Sequence, residues 1–219
     1  MVNKKILVVG AHMDDEVLGC GGTIIKHINI GDIVDVCFLT DSSSTQYYAD
    51  DEKRRKKYFQ AQSVKDLLGI RQLFFLEFED MKLDSIPISS IAKKLSEIVK
   101  NVNPDIIYTH HKGDLNKDHR VAHEATLIAA RPHTKIKAIY SYEVLSTTEI
   151  GIHNFTPDHF IDITDFIDRK KEAFNVYEDE IREYPHARSL KGIEVLASYR
   201  GIMCHSHYAE AFQTVRRIE

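Results

Sequence analysis

The segment Gly10-Ala11-His12-Met13-Asp14-Asp15-Glu16 puts one imidazole and three carboxylates within five residues. Adjacent carboxylates repel, and each raises the pKa of the other unless a cation is supplied. A divalent metal would resolve that repulsion, and the spacing of His12 and Asp15 lets both address one ion across a turn. Asp14 is then left free, and a carboxylate beside a metal that acidifies water can take that water's proton. Read alone, the acids also suit the first turn of a helix, where the helix dipole favours them.

A second segment, Thr109-His110-His111-Lys112-Gly113-Asp114-Leu115-Asn116-Lys117-Asp118-His119, carries three histidines and two aspartates. Two histidines plus one carboxylate form a metal set that leaves positions open for water and substrate; it suits zinc and also accepts iron or cobalt. His119, at the start of a helix, is the preferred third ligand. His123, four residues on, is its rival and is expected instead to pack or hydrogen bond. Cys20 is expected to be a small packed residue.

Both segments need strand ends to hold them. Lys5 to Val9 is an apolar run ending at Gly10, the pattern of a strand buried on both faces, and Glu16 to Asn29 has helical spacing interrupted by Gly19, Gly21 and Gly22. Strands are expected at Ile33–Leu39, Gln72–Leu76, Asp105–Thr109, Ile136–Val144 and His159–Ile163. Helices are expected over Ala49–Leu68, around Ile91 to Val99, over Asp118–Ala130, and over Asp165–Tyr184 with Asp165 as N-cap. The alternation defines an α/β fold: a doubly wound, mostly parallel sheet with helices on both faces and a C-terminal helical elaboration. In such sheets ligands sit outside the carboxyl ends of the strands, where both segments fall.

With 219 residues, 43% of them hydrophobic, one domain spanning 1–219 is expected. Lys plus Arg total 29 against 33 acids, for a net charge of -4, so nothing in the charge calls for nucleic acid. The apolar run after Lys5 is too short for a signal-peptide core or a membrane span, and a cytoplasmic protein is expected. Cys20, Cys37 and Cys204 are too few and too scattered for a disulfide framework or a thiolate zinc site. The 12 histidines cluster at His110, His111, His119 and His123, and again at His205 and His207.

The stretches Ala11-His12-Met13-Asp14-Asp15-Glu16-Val17-Leu18-Gly19-Cys20-Gly21-Gly22 and Asp114-Leu115-Asn116-Lys117-Asp118-His119-Arg120 closely resemble the PIG-L/LmbE-like N-deacetylase family. So do Leu39-Thr40-Asp41, Leu68-Gly69 and Tyr208-Ala209-Glu210-Ala211-Phe212. The resemblance implies a Rossmann-like zinc enzyme that removes acetyl groups from N-acetylglucosamine-type sugars, glycoconjugates or nucleotide sugars. It implies metal ligands at His12, Asp15 and His119, a general base at Asp14 and a supporting carboxylate at Asp118.

Met13 stands where the family usually has proline. Asn116 stands where many members have a histidine that stabilises the tetrahedral intermediate or protonates the leaving amine. That role is open to His110, His111, His205 or His207, or to the Asn116 amide as an oxyanion donor. Lys57 and Gln60 lie near the family's usual arginine and glutamate. Asp41, Arg54, Arg55, Asp114 and Arg188, with Glu210 in the C-terminal motif, are the candidate substrate contacts. The expected partner is a small sugar or glycoconjugate, with no nucleic acid and no membrane span, and homo-oligomerisation is left open. The competing readings are another metal-dependent amide or ester hydrolase and a silent sugar-binding member.

Overall fold

The computed structural model describes residues 3–45, 48–131 and 135–218; Gln46 and Tyr47, in the polar stretch from Ser42 to Tyr48, lie outside them. The chain runs β1 (Lys5–Gly10), α1 (Asp15–Asn29), β2 (Ile33–Thr40), two short strands β3 (Ser44–Thr45) and β4 (Tyr48–Ala49), and α2 (Asp51–Leu68). There follow β5 (Gln72–Phe78), α3 (Ile88–Val102), β6 (Ile106–His110), α4 (Lys117–Ala129) and β7 (Ala138–Tyr142). The last third holds β8 (His159–Asp162), α5 (Ile167–Val176), α6 (Leu190–Cys204) and β9 (Ala209–Arg217).

The seven-stranded sheet has the order β5-β2-β1-β6-β7-β9-β8. The pairs from β5 through β7 are parallel, and β9 is antiparallel to both neighbours. Alternate residues of β1 leave opposite faces. Ile6 and Val8 enter a core built with α1, α2, α5 and α6, whereas Leu7 and Val9 enter a second core with α3 and α4. Coverage on both faces is why Ile6 to Val9 are all apolar and fully buried.

Caps define several boundaries. Asp50 accepts from the Glu52 and Lys53 amides, so α2 starts two residues after the expected Ala49, and Gly69 (φ 84°) closes it. The expected 165–184 helix is shorter, because α5 ends at Val176. Beyond it Tyr177 turns into the core, and the acids of the Glu178–Glu180 turn pair with Lys56 and Lys57 of α2. Asp165 lies in a 3-10 turn, and α5 has no side-chain cap. The C-terminal elaboration also contains an unexpected strand, β9, inserted between β7 and β8.

Gly19 matters for the site. A Cβ there would collide with the Tyr142 ring. Its absence lets α1 pack onto β7, and the Tyr142 hydroxyl donates to the Val9 carbonyl at 2.7 Å, where β1 gives way to the first motif.

Candidate active site

β1, β5 and β6 all end on one edge of the sheet, and the segments leaving them converge there. The turn after β1 is held by β2, since Thr40 Oγ1 and the Thr40 amide both donate to the Ala11 carbonyl, and Ser42 Oγ accepts from the Met13 amide. At its tip Asp14 has φ 157°, a costly conformation for a non-glycine residue and one that collects at working sites. The His12 carbonyl accepts from both the Asp14 and Asp15 amides, which curls the chain into α1.

This turn delivers His12 and Asp15 to His119 on the first turn of α4. His12 Nδ1 lies 3.2 Å from His119 Nε2 and 3.4 Å from Asp15 Oδ2, and Asp15 Oδ1 lies 3.4 Å from His119 Nε2. The donor atoms of the three residues are all within 4.8 Å of one another. Asp15 and His119 are fully buried, whereas the His12 side chain is 14% exposed, so the cluster opens to solvent on the His12 side. Asp15 Oδ1 is buried and has no hydrogen-bond partner among the described residues. Two imidazole nitrogens and an orphaned carboxylate oxygen facing one point form a donor set that fits a divalent cation.

A ring of carboxylates orients these groups. His12 turns Nε2 toward Asp80 Oδ1 (3.1 Å) and Asp118 Oδ2 (3.3 Å), and this trio is a second group able to hold a cation. Asp118 also accepts from the Met81 and Leu83 amides, tying the segment after β5 to α4. His119 Nδ1 lies 3.2 Å from Asp114 Oδ1, whose partner oxygen accepts from the Thr147 and Thr148 hydroxyls. Carboxylates behind ligand histidines fix the tautomer and aim the free nitrogen at the ion.

Six buried carboxylates, Asp14, Asp15, Glu16, Asp80, Asp114 and Asp118, crowd this edge, and Lys57 and Arg188 are the lysine and arginine that reach the first motif. Burial opposes a charge on His12, but Asp118, Asp15 and Asp80 outweigh it and raise its pKa well above the ordinary value. Burial likewise opposes the Asp15 carboxylate, and the charges on His119 and His110 reverse this, holding it well below the usual range. Asp14 goes the other way. Burial raises its pKa, with Arg188 and Lys57 pulling against the rise. Burial also drives Glu16 up to about 8, although Tyr177 donates its hydroxyl to Oε1 at 2.7 Å.

The other sequence candidates divide. Arg188 reaches the site: Nη1 lies 2.9 Å from Asp14 Oδ2 and 3.0 Å from Glu180 Oε2, and Nε donates to Ser146 Oγ. Lys57 joins the same network through Glu180 (2.7 Å) and the Met13 carbonyl (3.5 Å). Asp41 and Arg54 lie 4.0 Å apart beside the Ser42 turn, and Arg54 also faces Glu77, so they belong to the rim.

Four candidates sit elsewhere or have other partners than expected. Asp114 is no rim residue; it is fully buried behind His119. Glu210 does not face the site but accepts from the Gly22 and Thr23 amides and from Lys170 Nζ, which in turn donates to the Leu18 carbonyl. That buried pair splices into the hydrogen-bond ladder of α1. Asn116 is the N-cap of α4, its Oδ1 accepting from the Asp118 amide, and its Nδ2 lies 3.9 Å from Met81 Sδ. His110 is fully buried, and its Nε2 accepts from the Ala11 amide at 2.9 Å. Burial and the neighbouring His119 hold its pKa down at about 4, so it makes a poor proton donor.

His123 donates Nδ1–H to the His110 carbonyl, and His111 lies against the His153 carbonyl and the edge of Phe155. His205 caps α6, and with His207 it lines a separate hollow beside Asp162 and Thr164. Cys20 is a core residue whose thiol burial pushes up. Asp80 and Tyr177 escaped the sequence reading. For Asp80 a signal existed: it follows the end of β5, on the edge already marked by β1 and β6.

The arrangement is a charged cluster at the carboxyl edge of a doubly wound α/β sheet, with a buried carboxylate at its side. The chain belongs to the PIG-L family, whose model, described as GlcNAc-PI de-N-acetylase, matches residues 7–130. An uncharacterized deacetylase of Escherichia coli (strain K12) is 31% identical over 149 residues, covering 66% of this chain and 76% of that protein. Diacetylchitobiose deacetylase of Thermococcus kodakarensis is 25% identical over 226 residues, covering 97% of this chain and 83% of its own. Among solved structures, 4-carboxy-2-hydroxymuconate hydratase from Pseudomonas putida superposes with a TM-score of 0.80 at 22% identity, covering 99% of this chain and 98% of that one. That likeness shows a shared fold, and a fold by itself does not set the reaction.

Proposed function

We propose that this protein is a divalent-metal-dependent N-deacetylase, with zinc as the favoured metal, acting on an N-acetylglucosamine-type sugar or glycoconjugate. The observation that carries the reading is the convergence of His12, Asp15 and His119 beside the carboxylate of Asp14, which Arg188 holds through one oxygen. Asp118 and Asp80 would hold His12, and Asp114 would hold His119. A bound divalent metal would supply Lewis acidity to the acyl carbonyl and to water.

Asp14 then carries the proton. Burial raises its pKa above the ordinary carboxylate value, which favours its taking up a proton. Arg188 holds Oδ2, which leaves Oδ1 for water. Water oxygen bonds to the acyl carbon as its proton passes to Asp14. The C–N bond then breaks as Asp14 returns that proton to the amine nitrogen, leaving a free amine and acetic acid, which gives up its remaining proton to water as acetate. With His110 buried as an acceptor, one carboxylate serves both directions, and the Asn116 NH2, not used by the helix cap, stays available as an oxyanion donor. The rim of Asp41 and Arg54 would meet sugar hydroxyls.

The hydratase of the same fold favours one rival, addition of water to a carbon–carbon double bond, which could use the same carboxylate. Incubation with N-acetylglucosamine oligosaccharides and nucleotide sugars, read by mass spectrometry, separates the two. Loss of acetyl, with one acetate per new amine, supports deacetylation. Gain of the mass of water without acetate, or no change with metal bound, overturns it.

A further inference from the structure

A cavity of about 790 Å³ opens at the opposite end of the sheet from the His–Asp cluster. Its base is formed where β1, β6 and β7 begin, at Lys4, Asp105, Ile106, Lys137 and Ala138. One wall is the second half of α1, from Thr23 to Ile30, and the other is β8, with the last residues of β9 closing one side. None of its lining residues belongs to the site described above. Along β6 alone, Ile106 in the cavity and His110 under the cluster are four residues apart, about 13 Å at a strand rise of ~3.3 Å per residue.

The lining has two chemistries. Tyr140 and His159 stack with ring centroids 4.3 Å apart and planes 9° apart, and Tyr140 also lies beside Tyr108. Phe160, Ile161 and Ile218 extend this apolar side. Around it stand Lys4, Lys26, Lys137 and Arg217, against Asp105 and Asp162. Both acids are engaged locally, Asp105 accepting from the Lys5 amide and Asp162 from Thr164. Lys26 spans from α1 to the Asp162 carbonyl, bridging the two walls. On the α1 wall Thr23 Oγ1 is buried and finds no hydrogen-bond partner among the described residues, an arrangement that costs free energy unless a ligand group meets it.

We propose that this cavity is a second binding site, for a nucleoside phosphate. Its volume is of the size that encloses a small ligand. The base would extend the Tyr140–His159 stack, and the phosphate would sit between Lys4 and Lys137. Aromatic faces accept any base, so affinity rests on stacking plus charge. The site is independent of the deacetylase reading.

Calorimetric titration of the purified full chain with adenosine monophosphate tests this. Binding is expected, weakened about tenfold or more by Lys4→Glu combined with Lys137→Glu, and weakened similarly by His159→Ala. Both lysines are exposed, so the charge variants should fold. Adenosine alone and inorganic phosphate alone should each bind about tenfold more weakly than the nucleotide. His119→Ala, which dismantles the His–Asp cluster, should leave binding in place. Absence of binding, inorganic phosphate binding as tightly as the nucleotide, or binding lost with His119→Ala would overturn the proposal. So would an oligomer that the lysine variants dissociate, since a second copy of the chain would then occupy the cavity.

Discussion

Asp114→Asn probes how the buried carboxylates build the cluster. Asp114 Oδ1 lies 3.2 Å from His119 Nδ1 and accepts from the Asn116 amide at 2.8 Å, while Oδ2 accepts from Thr147 and Thr148. In the variant the amide oxygen can keep the two threonines, so its NH2 replaces Oδ1. That NH2 faces the Asn116 N–H and no longer places a negative oxygen 3.2 Å from His119 Nδ1. His119 then favours the tautomer with its proton on Nε2, the nitrogen that faces His12 and Asp15. Losing such a carboxylate behind a ligand histidine weakens metal binding about 10- to 100-fold, or ~1.4–2.7 kcal/mol. Competition against a chromophoric chelator measures it, with circular dichroism checking the fold. Turnover at saturating metal should largely return. A folded Asp114→Asn protein whose metal affinity stays within about twofold of the parent would refute the role of Asp114 in aiming His119.

Arg188→Ala removes the guanidinium that opposes the effect of burial on Asp14, so the Asp14 pKa should rise further. The acid limb of the kcat/KM profile should then move to higher pH, and an unmoved limb would detach Asp14 from that titration. Glu210→Ala leaves Lys170 buried without its carboxylate and frees two α1 amides. A loss of about 3–5 kcal/mol is expected, lowering Tm by roughly 6–20 °C. KM for the sugar should not change, whereas a raised KM with unaltered Tm would return Glu210 to the substrate site.

The scaffold of the site was readable because its signals are local. Lys5 to Gly10 announces a strand covered on both faces, and the motifs after β1 and before α4 sit where the strand-end rule places ligands. His12, Asp15 and His119, 107 residues apart at the extremes, are brought together by that rule alone. What stayed hidden depends on contacts between distant segments. Whether Asp114 faces the rim or His119 turns on Thr147 and Thr148, which lie in another loop. Glu210 has its role from Lys170 on α5, and Arg188 comes to Asp14 across 174 residues. Asn116 shows local chemistry prevailing over motif analogy: the residue three before His119 is the helix N-cap, and its carbonyl is used there.

The central claim separates most cleanly when metal content and acetate release are measured on the same preparations of the parent protein and Asp14→Asn. The account predicts one divalent ion per chain in both, because Asp14 is no ligand. It also predicts acetate release reduced by about 10²–10⁴ in Asp14→Asn, the usual contribution of a proton-transfer group. Undiminished release from Asp14→Asn with its metal bound, or metal lost together with activity, would contradict it.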